Sequence, residues 1–399
     1  MAVNLIRNSR VFFSTNVNAT TGALNPSTTA CTNSNTFEIQ ILDGFSFTQN
    51  TTSETITLNE AGATPIRGQR AFNTALEPVD FSFSTYIRPR RSTTGGSAAH
   101  TAEECVLWNA FSSGTAIGSV GAGWAEDSVA GSVNWDDSDR HQLQKFAMIM
   151  VIDNDTYIID NCVLDQASID FGIDAIATIA WSGKGSGIRR VGKTTLTDGV
   201  DDVTFDNANN SFDGVAKKKV TTANYLANKL SSVTLRPGIA NTSATAYTVP
   251  ITGGNITISN NVTYLTPANL GVVNNPITYF TGARSVSGNL TAYLKTGTNG
   301  TADLLEDLLD AASTTTEPKY SLTVHLGGSS SANLRVDLIM KGTVLQIPTI
   351  NSEQVISTTI NFTAQGYNSG ADTVFGDGND VFDVEATNEL EVKYYAPQT

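Results

Sequence analysis

The stretch Tyr157–Gly185, YIIDNCVLDQASIDFGIDAIATIAWSGKG, recurs in altered form at Leu338–Gly366 as LIMKGTVLQIPTINSEQVISTTINFTAQG. The two stretches align without a gap at a constant shift of 181 residues, which places Gly185 opposite Gly366. A repeat over so long a period is typical of a duplicated supersecondary unit. The alignment predicts that the chain contains one structural unit twice.

Segments upstream of this stretch recur in the same order. VDFSFSTYIRP from Val79 pairs with SGNLTAYLKT from Ser287, GFSFTQN from Gly44 resembles NITISNN from Asn255, and SRVFFST from Ser9 resembles SSVTLRP from Ser231. Apolar and polar residues alternate from Val79 onward, a period of two that predicts a strand with one buried face. Both halves are therefore predicted to run strand, long hairpin, strand, helix, strand pair, strand.

A short helix is predicted after the Val79 strand and after its counterpart. Thr101-Ala102 precedes EECVLWNAF, and Thr301-Ala302 precedes DLLEDLLDAAS. In the second helix Thr301 is the predicted N-cap, and Asp303 is favourably placed in the first turn. The apolar stripe of that helix consists of Leu304, Leu305, Leu308 and Leu309. We expect each helix to cover a sheet face.

The duplication predicts two domains of similar size. We assign residues 1–190 to the first copy and 229–399 to the second, joined by a polar, glycine-rich connecting segment at 191–228. The strand NKLSSVTLRP from Asn228 also resembles the C-terminal NELEVKYYAP from Asn388. It therefore closes the first copy or opens the second.

Composition narrows the class of protein. Charged residues make up 16% of the 399 residues, which together with abundant Ser, Thr, Asn and Gly favours β structure with polar loops. The formal net charge of −14 argues against gripping nucleic acid, which draws on clusters of Lys and Arg. The widely spaced Cys31, Cys105 and Cys162 argue against a disulfide framework or zinc knuckle. With no apolar run of membrane length and no signal peptide, we expect no membrane insertion.

Two strings imitate binding motifs. Gly187–Thr194, GIRRVGKT, satisfies the phosphate-loop pattern, but the residues after it lack the helical period that such a loop requires. We therefore predict a glycine-rich turn, and a nucleotide hydrolase using Lys193 and Thr194 is the disfavoured alternative. Gly376–Val381, GDGNDV, resembles one turn of a calcium-binding repeat, but a single turn cannot complete a coordination shell.

Other residues that often carry chemistry are scattered. The histidines are far apart and belong to no catalytic motif, and the tryptophans are predicted to lie in the core. These residues are His100, His141 and His325, and Trp108, Trp124, Trp135 and Trp181. We predict no catalytic residue, no cofactor and no metal site.

A duplicated β unit also implies assembly. Sheets with one polar face leave edge strands whose unpaired N–H and C=O groups can pair with another chain, and closure around an axis removes such edges. Two similar units per chain would allow three chains to form a ring with six-fold-like symmetry.

A family resemblance extends this argument over nearly the whole chain. The blocks that carry it include LIRNSRVFFST, ITLNEAGATPIRGQRAFN, VDFSFSTYIRP, VLWNAFSSG, WSGKG, NKLSSVTL, PITGGNITISNNVTYLTP, TGARSVSGNLTAYL and IPTINSEQVISTTINFTA. In this order they resemble blocks of the major tail tube proteins of siphophages, the long non-contractile-tailed bacteriophages, of the duplicated type that forms trimeric rings. The resemblance implies a mainly β fold, a tandem duplication of a tail tube β-sandwich or barrel domain, each with a short flanking α-helix.

The resemblance also implies a function. The protein would be a structural virion protein, made in the host cytoplasm, that polymerises as stacked homotrimeric, pseudo-hexameric rings into the conduit for genome ejection. Its partners would be other copies of itself, the tape measure protein, and tail-tip and tail terminator proteins. DNA would pass transiently without specific binding, and no enzymatic activity is expected. A receptor-binding or distal tail protein is the alternative, and it would form a discrete oligomer instead of tubes.

One loop is a candidate contact between subunits. In ITLNEAGATPIRGQRAFN the residues Gly62, Pro65 and Gly68 punctuate a loop between strands. It carries four polar residues for contacts with a neighbouring subunit or ring: Asn59, Glu60, Arg67 and Arg70. A solvated hairpin tip is the alternative interpretation.

Overall fold

The computed structural model describes residues 9–24, 35–42, 44–56, 69–91, 100–112, 132–133, 143–152, 155–193, 195–196, 203–204, 224–314, 318–328, 334–351, 355–370 and 380–396. These residues form 25 strands and two α-helices, so the fold is mainly β as predicted.

The elements up to residue 193 are called the first unit. They are β1 (Ser9–Ser14), β2 (Thr36–Ile39), β3 (Ser46–Ile56), β4 (Arg70–Tyr86), β5 (Pro89–Arg91), β6 (His100–Ala102), α1 (Cys105–Phe111), β7 (Ser132–Val133), β8 (Phe146–Ile152), β9 (Asp155–Asp170), β10 (Thr178–Gly185) and β11 (Gly187–Lys193). The short strands β12 (Thr195–Leu196) and β13 (Val203–Thr204) follow and pair with each other.

The elements from residue 228 onward are called the second unit, which begins with a 3-10 turn at Asn228–Leu230. They are β14 (Ser232–Pro237), β15 (Ile251–Ser259), β16 (Val262–Leu265), β17 (Thr278–Thr281), β18 (Ser285–Tyr293), α2 (Thr301–Ala312), β19 (Tyr320–Gly327), β20 (Arg335–Leu345), β21 (Thr349–Asn351), β22 (Ser357–Ala364), β23 (Tyr367–Asn368), β24 (Val381–Phe382) and β25 (Glu391–Tyr395).

Each unit is a sandwich of two antiparallel layers. In the first unit β3, β4, β10 and the C-terminal half of β9 form one layer, called the inner layer, while β2, β1, β8, the N-terminal half of β9 and β11 form the outer layer. The second unit repeats this order, with β15, β18, β22 and β21 in the inner layer and β14, β19, β20 and β25 in the outer one. The duplication predicted from sequence is thus present in the strand pairings.

A shared β-bulge fixes the correspondence between the units. In both, the register between the two long outer strands slips by one residue at the same place, a feature that is specific because a bulge changes local twist. The flanking pairs are Phe146–Cys162 and Met148–Ile159 in the first unit, and Tyr320–Thr343 and Leu322–Met340 in the second. From Cys162 to Thr343 is the shift of 181 residues that the sequence alignment predicts.

The last inner strand departs from that alignment by two residues. Trp181 pairs with Phe83 in the first unit, and Ile360 pairs with Leu290 in the second, so β10 corresponds to β22 at a shift of 179 residues. The gap-free alignment was wrong for this strand, although a slip of two leaves each side chain on its predicted face.

The corrected register exposes an exchange of glycine and phenylalanine between the units. Gly183 lies opposite Phe81 in the first unit, and Gly288 lies opposite Phe362 in the second. A Cβ built on either glycine would come within 2.4 Å or 2.7 Å of the facing ring. In each unit one phenylalanine ring therefore packs over one glycine at this position. The phenylalanine lies on β4 in the first unit and on β22 in the second, while the glycine lies on β10 and β18 respectively.

The helices lie where the sequence predicts them, with two corrections. α2 begins at Thr301 but its N-cap is Gly300, because the Thr301 hydroxyl instead donates to the Tyr293 carbonyl and accepts from the Lys295 amide. Asp303 does lie in the first turn. Of the predicted stripe, Leu304 and Leu308 are buried, Leu305 is partly buried and Leu309 is 49% exposed. Thr101 and Ala102 belong to β6 and not to α1, all of whose residues are buried.

The core and the connection complete the architecture. Trp108 and Trp181 are buried in the first unit, as predicted, while Trp124 and Trp135 lie outside the described residues. The sequence NKLSSVTLRP, which could close the first copy or open the second, contains β14. This strand pairs with β19 as β1 pairs with β8, so it takes the opening position of the second unit. The boundaries at 190 and 229 stay a prediction, and β11 runs through the first of them.

Candidate self-assembly surfaces

The two inner layers are joined into one sheet by a strand pairing between the units. β15 of the second unit pairs antiparallel with the C-terminal half of β9 over five residue pairs, from Asn255–Asp170 to Ser259–Gln166. The continuous sheet therefore has the order β3, β4, β10, β9, β15, β18, β22, β21. We call the β9–β15 pairing the internal junction.

The internal junction buries apolar side chains and satisfies polar ones. Ile169 and Ile256 lie opposite each other and are 1% and 0% exposed. On the other face, the Asn255 amide nitrogen donates to Asp170 Oδ1 at 2.6 Å and to Ser168 Oγ at 2.9 Å. A strand edge of one unit and a strand edge of the other are thus fully complementary here.

Both ends of the eight-stranded sheet are open among the described residues. Among the strands that the structure describes, β3 pairs only with β4, and β21 pairs only with β22. By the correspondence of the units, β3 holds the position that β15 holds in the second unit, and β21 holds the position of the C-terminal half of β9. The chain therefore carries the two halves of the internal junction a second time, at opposite ends of the sheet and without a partner strand.

Exposure at the open ends agrees with this correspondence. Ile350 on β21 is the counterpart of Ile169, yet it is 46% exposed, and the preceding Ile347 is 50% exposed. Beside β3 a cavity of about 320 Å³ is lined in part by Ile41, Phe45 and Phe47. Exposed apolar groups at a sheet edge are a template for pairing with another chain.

A hairpin arm adds a second surface. In the second unit the β16–β17 hairpin folds over the first unit, where the Tyr264 hydroxyl donates to the Asn161 carbonyl and the Tyr279 hydroxyl donates to the Leu143 carbonyl. Burial raises the pKa of Tyr279 to about 12. The corresponding arm of the first unit is the distal part of β3 and β4, where Ile56 and Phe72 are 45% and 49% exposed.

The candidate contact loop lies at the end of this first arm. Arg70 opens β4, is exposed and pairs with Ile56 in the strand register. Asn59, Glu60 and Arg67 lie outside the described residues. A contact between this loop and a neighbouring subunit stays a prediction.

The C-terminal strand clamps the second unit to the helix of the first. The Tyr394 hydroxyl donates to Glu104 Oε1 at 2.7 Å, and the Trp108 indole N–H donates to the Tyr394 oxygen at 2.7 Å. Burial raises the pKa of Glu104 to about 7, against the lowering effects of the Tyr394 hydrogen bond and the Arg88 charge. This network is a polar link between residues 290 positions apart in the chain.

The imitation motifs do not form binding sites in the described residues. Gly187–Lys193 is strand β11, paired with β9, and therefore does not have the loop conformation that a phosphate-binding motif requires. The first four residues of the calcium-like turn lie outside the described residues, and so do Thr194 and His141. Within the described part of the chain no group of three His, Cys, Asp or Glu side chains could hold a metal ion. Neither α1 nor α2, the helices of that part, is long and apolar enough to cross a bilayer.

One arrangement resembles a catalytic triad. His325 Nδ1 lies 2.6 Å from Asp337 Oδ1, and His325 Nε2 lies 3.4 Å from the Thr234 hydroxyl. Arg335 contacts the other carboxylate oxygen of Asp337 at 2.5 Å. At the corresponding positions of the first unit the residues are apolar, Phe12 and Val151 for Thr234 and His325. Arg335 and Asp337 form an ion pair within β20, and His325 contacts the same carboxylate across the strands of the outer layer. Sequence inspection missed this group because its members lie on three strands.

The architecture defines the chain as a duplicated two-layer β-sandwich protein whose units share one sheet. No family model matches the chain. The chain is similar to the tail tube protein pb6 of Escherichia phage T5, with 32% identity over 369 residues that cover 91% of this chain and 73% of that protein. The chain therefore belongs to the tail tube proteins of siphophages. It is a structural protein of the virion tail, and the comparison favours this role over that of a receptor-binding or distal tail protein.

Proposed function

We propose that three chains close into a ring by repeating the internal junction between chains, and that stacked rings form the tube through which the genome leaves the virion. The observation that carries this proposal is the presence, at opposite ends of one sheet, of both unpaired halves of a junction that the chain already makes internally. A head-to-tail interface of this kind generates a ring when the rotation between units closes.

The internal junction sets the register of the proposed one. Carrying its pairs over to β3 and β21 places Phe47 opposite Ile350, Thr48 opposite Thr349 and Gln49 opposite Pro348. Proline has no amide hydrogen, so this ladder has one hydrogen bond fewer than the internal one. Burial of Ile350 compensates by about 1.5 to 3 kcal/mol per junction.

Ring size follows from the strand count. Each chain contributes eight inner strands, so three chains contribute twenty-four. At about 4.8 Å between strands, the barrel circumference is at least about 115 Å and its radius about 18 Å. Barrels of 16 to 18 strands already hold an aqueous channel, so a twenty-four-stranded ring encloses a wide lumen.

The remaining parts of the proposal follow from family membership and from the first arm. We assign the chain no enzymatic role, and we name the tape measure protein and the tail-tip and terminator proteins as partners of the tube. The first arm, with exposed Ile56 and Phe72, would lie on the second unit of the neighbouring chain, as the β16–β17 arm lies on the first unit within the chain. Residues 1–190 and 229–399 would then form six similar blocks around the ring.

A disulfide at the proposed junction tests the ring. Ser168 and Thr257 lie between the backbone-bonded pairs of the internal junction, and their hydroxyl oxygens are 3.4 Å apart. Such non-hydrogen-bonded pairs have Cα atoms about 4.5 Å apart, within disulfide range. Thr48 and Thr349 are the corresponding pair, so the variant carries Thr48→Cys and Thr349→Cys in a Cys31→Ser background.

Oxidation of assembled tubes should yield a covalent trimer as the largest species on a denaturing gel. The combination Thr48→Cys with Ile350→Cys is the matched control, because those side chains point to opposite sheet faces. The combination Ser168→Cys with Thr257→Cys should link only within one chain. A covalent hexamer, an open ladder of multimers, or tubes without cross-links would each contradict the proposal.

A further inference from the structure

The internal junction ends at an aromatic ring that fills the place of a missing side chain. One position beyond the five pairs of this junction, the Phe171 amide donates to the Gly254 carbonyl at 3.0 Å, so these two residues lie opposite each other. Phe171 is 4% exposed, and a Cβ built on Gly254 would lie 2.7 Å from its ring. A ring from the first unit therefore occupies the space that a side chain on β15 would take.

The open edge of β3 has its own ring at the same position. The pairing of β3 with β4 and of β15 with β18 makes Phe45 the counterpart of Gly254. The ring centroid of Phe45 lies 5.8 Å from that of Phe47 and 6.3 Å from that of Phe83. Phe45 thus packs against the core of the first unit, although it stays partly exposed beside the open edge.

The strands that pair at these positions differ in the opposite sense. In sequence, Phe171 is two positions after the core isoleucine of β9, whereas Ser352 is two positions after Ile350 of β21. The large residue is therefore on β9 at the internal junction, and on β3 at the open edge. Each junction has one phenylalanine, but the two edges that supply it are not interchangeable.

The other face of the sheet carries a second difference. At the internal junction Asp170 Oδ1 accepts from the Asn255 amide at 2.6 Å, which is a charge-assisted hydrogen bond. By the correspondence of the units, the uncharged Asn351 and Ser46 hold these two positions at the open ends of the sheet. Pairing β9 with β3 would therefore place Asp170 beside Ser46 and lose the bond to Asn255.

We propose that Phe45 determines the specificity of the junction between chains, an inference that rests on the proposed ring. With this residue β3 accepts β21 of a neighbouring chain and rejects the C-terminal half of β9. Pairing β9 with β3 would bring two phenylalanine rings to one place, and overpacking of this kind forces side chains out of their preferred conformations. A steric conflict with the wrong strand discriminates as effectively as a good fit with the right one.

The wrong strand is available while the chain folds. N-terminal domains generally fold first during synthesis, and until β15 is in place the edge of β9 is as open as the edge of β3. Two first units could then join head to tail, an arrangement that continues into open filaments when the rotation does not close. Rejection of β9 by Phe45 keeps that edge for β15, so that first and second units alternate in the ring.

A pair of peptides tests this inference on the full chain. One peptide has the sequence of residues 164–175, which include the C-terminal half of β9, and the other is the same peptide with Phe171→Ser. Their affinities for chains with Phe45 and with Phe45→Gly are measured by fluorescence anisotropy, in an Ile350→Asp background that keeps the chains unassembled. Phe280→Gly, which removes an exposed ring on β17, is the matched control.

On chains with Phe45 the serine peptide should bind at least about tenfold more tightly than the phenylalanine peptide, and on Phe45→Gly chains this preference should reverse. Phe280→Gly chains should behave like chains with Phe45. Phe45→Ala takes the place of Phe45→Gly if the glycine variant does not fold. A ratio of affinities that removal of the Phe45 ring leaves unchanged would overturn the inference. Failure of a peptide of residues 345–356, the β21 segment, to bind any of these chains would instead count against the proposed ring.

Discussion

The free energy of unfolding should fall as the pH rises from 4.5 to about 7, the interval over which the Glu104 carboxyl group loses its proton. Glu104→Gln should remove this contribution to the pH dependence. Burial is the main cause of the raised pKa of Glu104, about 7 against 4.5 for a free carboxyl group. Between these two pH values the unfolded chain releases its proton while the folded chain keeps it. The folded state is thus favoured most below pH 4.5, and this advantage is lost as the pH approaches 7.

The size of the effect follows from the pKa difference. At about 1.4 kcal/mol per pH unit, the free energy of unfolding should fall by about 3 kcal/mol across the interval. Glutamine keeps a carbonyl oxygen that accepts the Tyr394 hydrogen bond but has no proton to lose in this range. The free energy of unfolding of the variant should therefore equal or exceed that of the wild type above pH 7. Near pH 4.5 the variant should be the less stable of the two.

Urea unfolding at intervals from pH 4.5 to 8 measures the difference, followed by the fluorescence of Trp108 and Trp181, whose ring centroids are 5.0 Å apart. Glu306→Gln, at an exposed position of α2, is the control and should follow the wild-type curve. Parallel pH profiles for the wild type and Glu104→Gln would show that the Glu104 carboxyl group does not cause the pH dependence.

Three further predictions concern packing and assembly. Ile350→Asp should leave the unfolding midpoint of the unassembled chain unchanged but prevent tube formation seen by electron microscopy, whereas Leu309→Asp should still form tubes. Gly183→Ala should destabilise the chain by about 1 to 3 kcal/mol in urea unfolding, because its Cβ would lie 2.4 Å from a buried ring, whereas the open site at Gly187 should tolerate alanine. Tyr394→Phe should cost about 1 to 3 kcal/mol in the same assay by leaving buried polar groups unpaired, and equal stability would count against the clamp.

Local sequence pattern was sufficient for much of the fold. The alternation from Val79 gave strand β4, whose Val79, Phe81 and Phe83 are buried while Asp80 is exposed. The repeat gave the second unit, since the same apolar spacing selects the same strand faces. The match of Ser9 with Ser231 agrees with the observed pairing of β1 and β14 in their units.

Other features depended on distances that a sequence pattern does not contain. The slip of two residues in β22 keeps every side chain on its face, so the alternation of polar and apolar residues cannot detect it. The internal junction joins residues 85 or more positions apart, and its apolar pair Ile169–Ile256 looks like any other pair of core residues. Gly300 displaced Thr301 as the N-cap because the threonine hydroxyl found backbone partners outside the helix.

The assembly surfaces were predictable in kind but not in place. Duplication with open edges indicated assembly through strands, yet only the pairing of β15 with β9 shows which edges correspond.

A density map of assembled tubes, at a resolution that shows side chains, would show directly how neighbouring chains pair. We expect three chains per ring, with β3 of one chain paired to β21 of the next and Phe47 opposite Ile350. A ring in which β3 has no partner strand, or in which it pairs with a strand other than β21, would contradict the proposed junction.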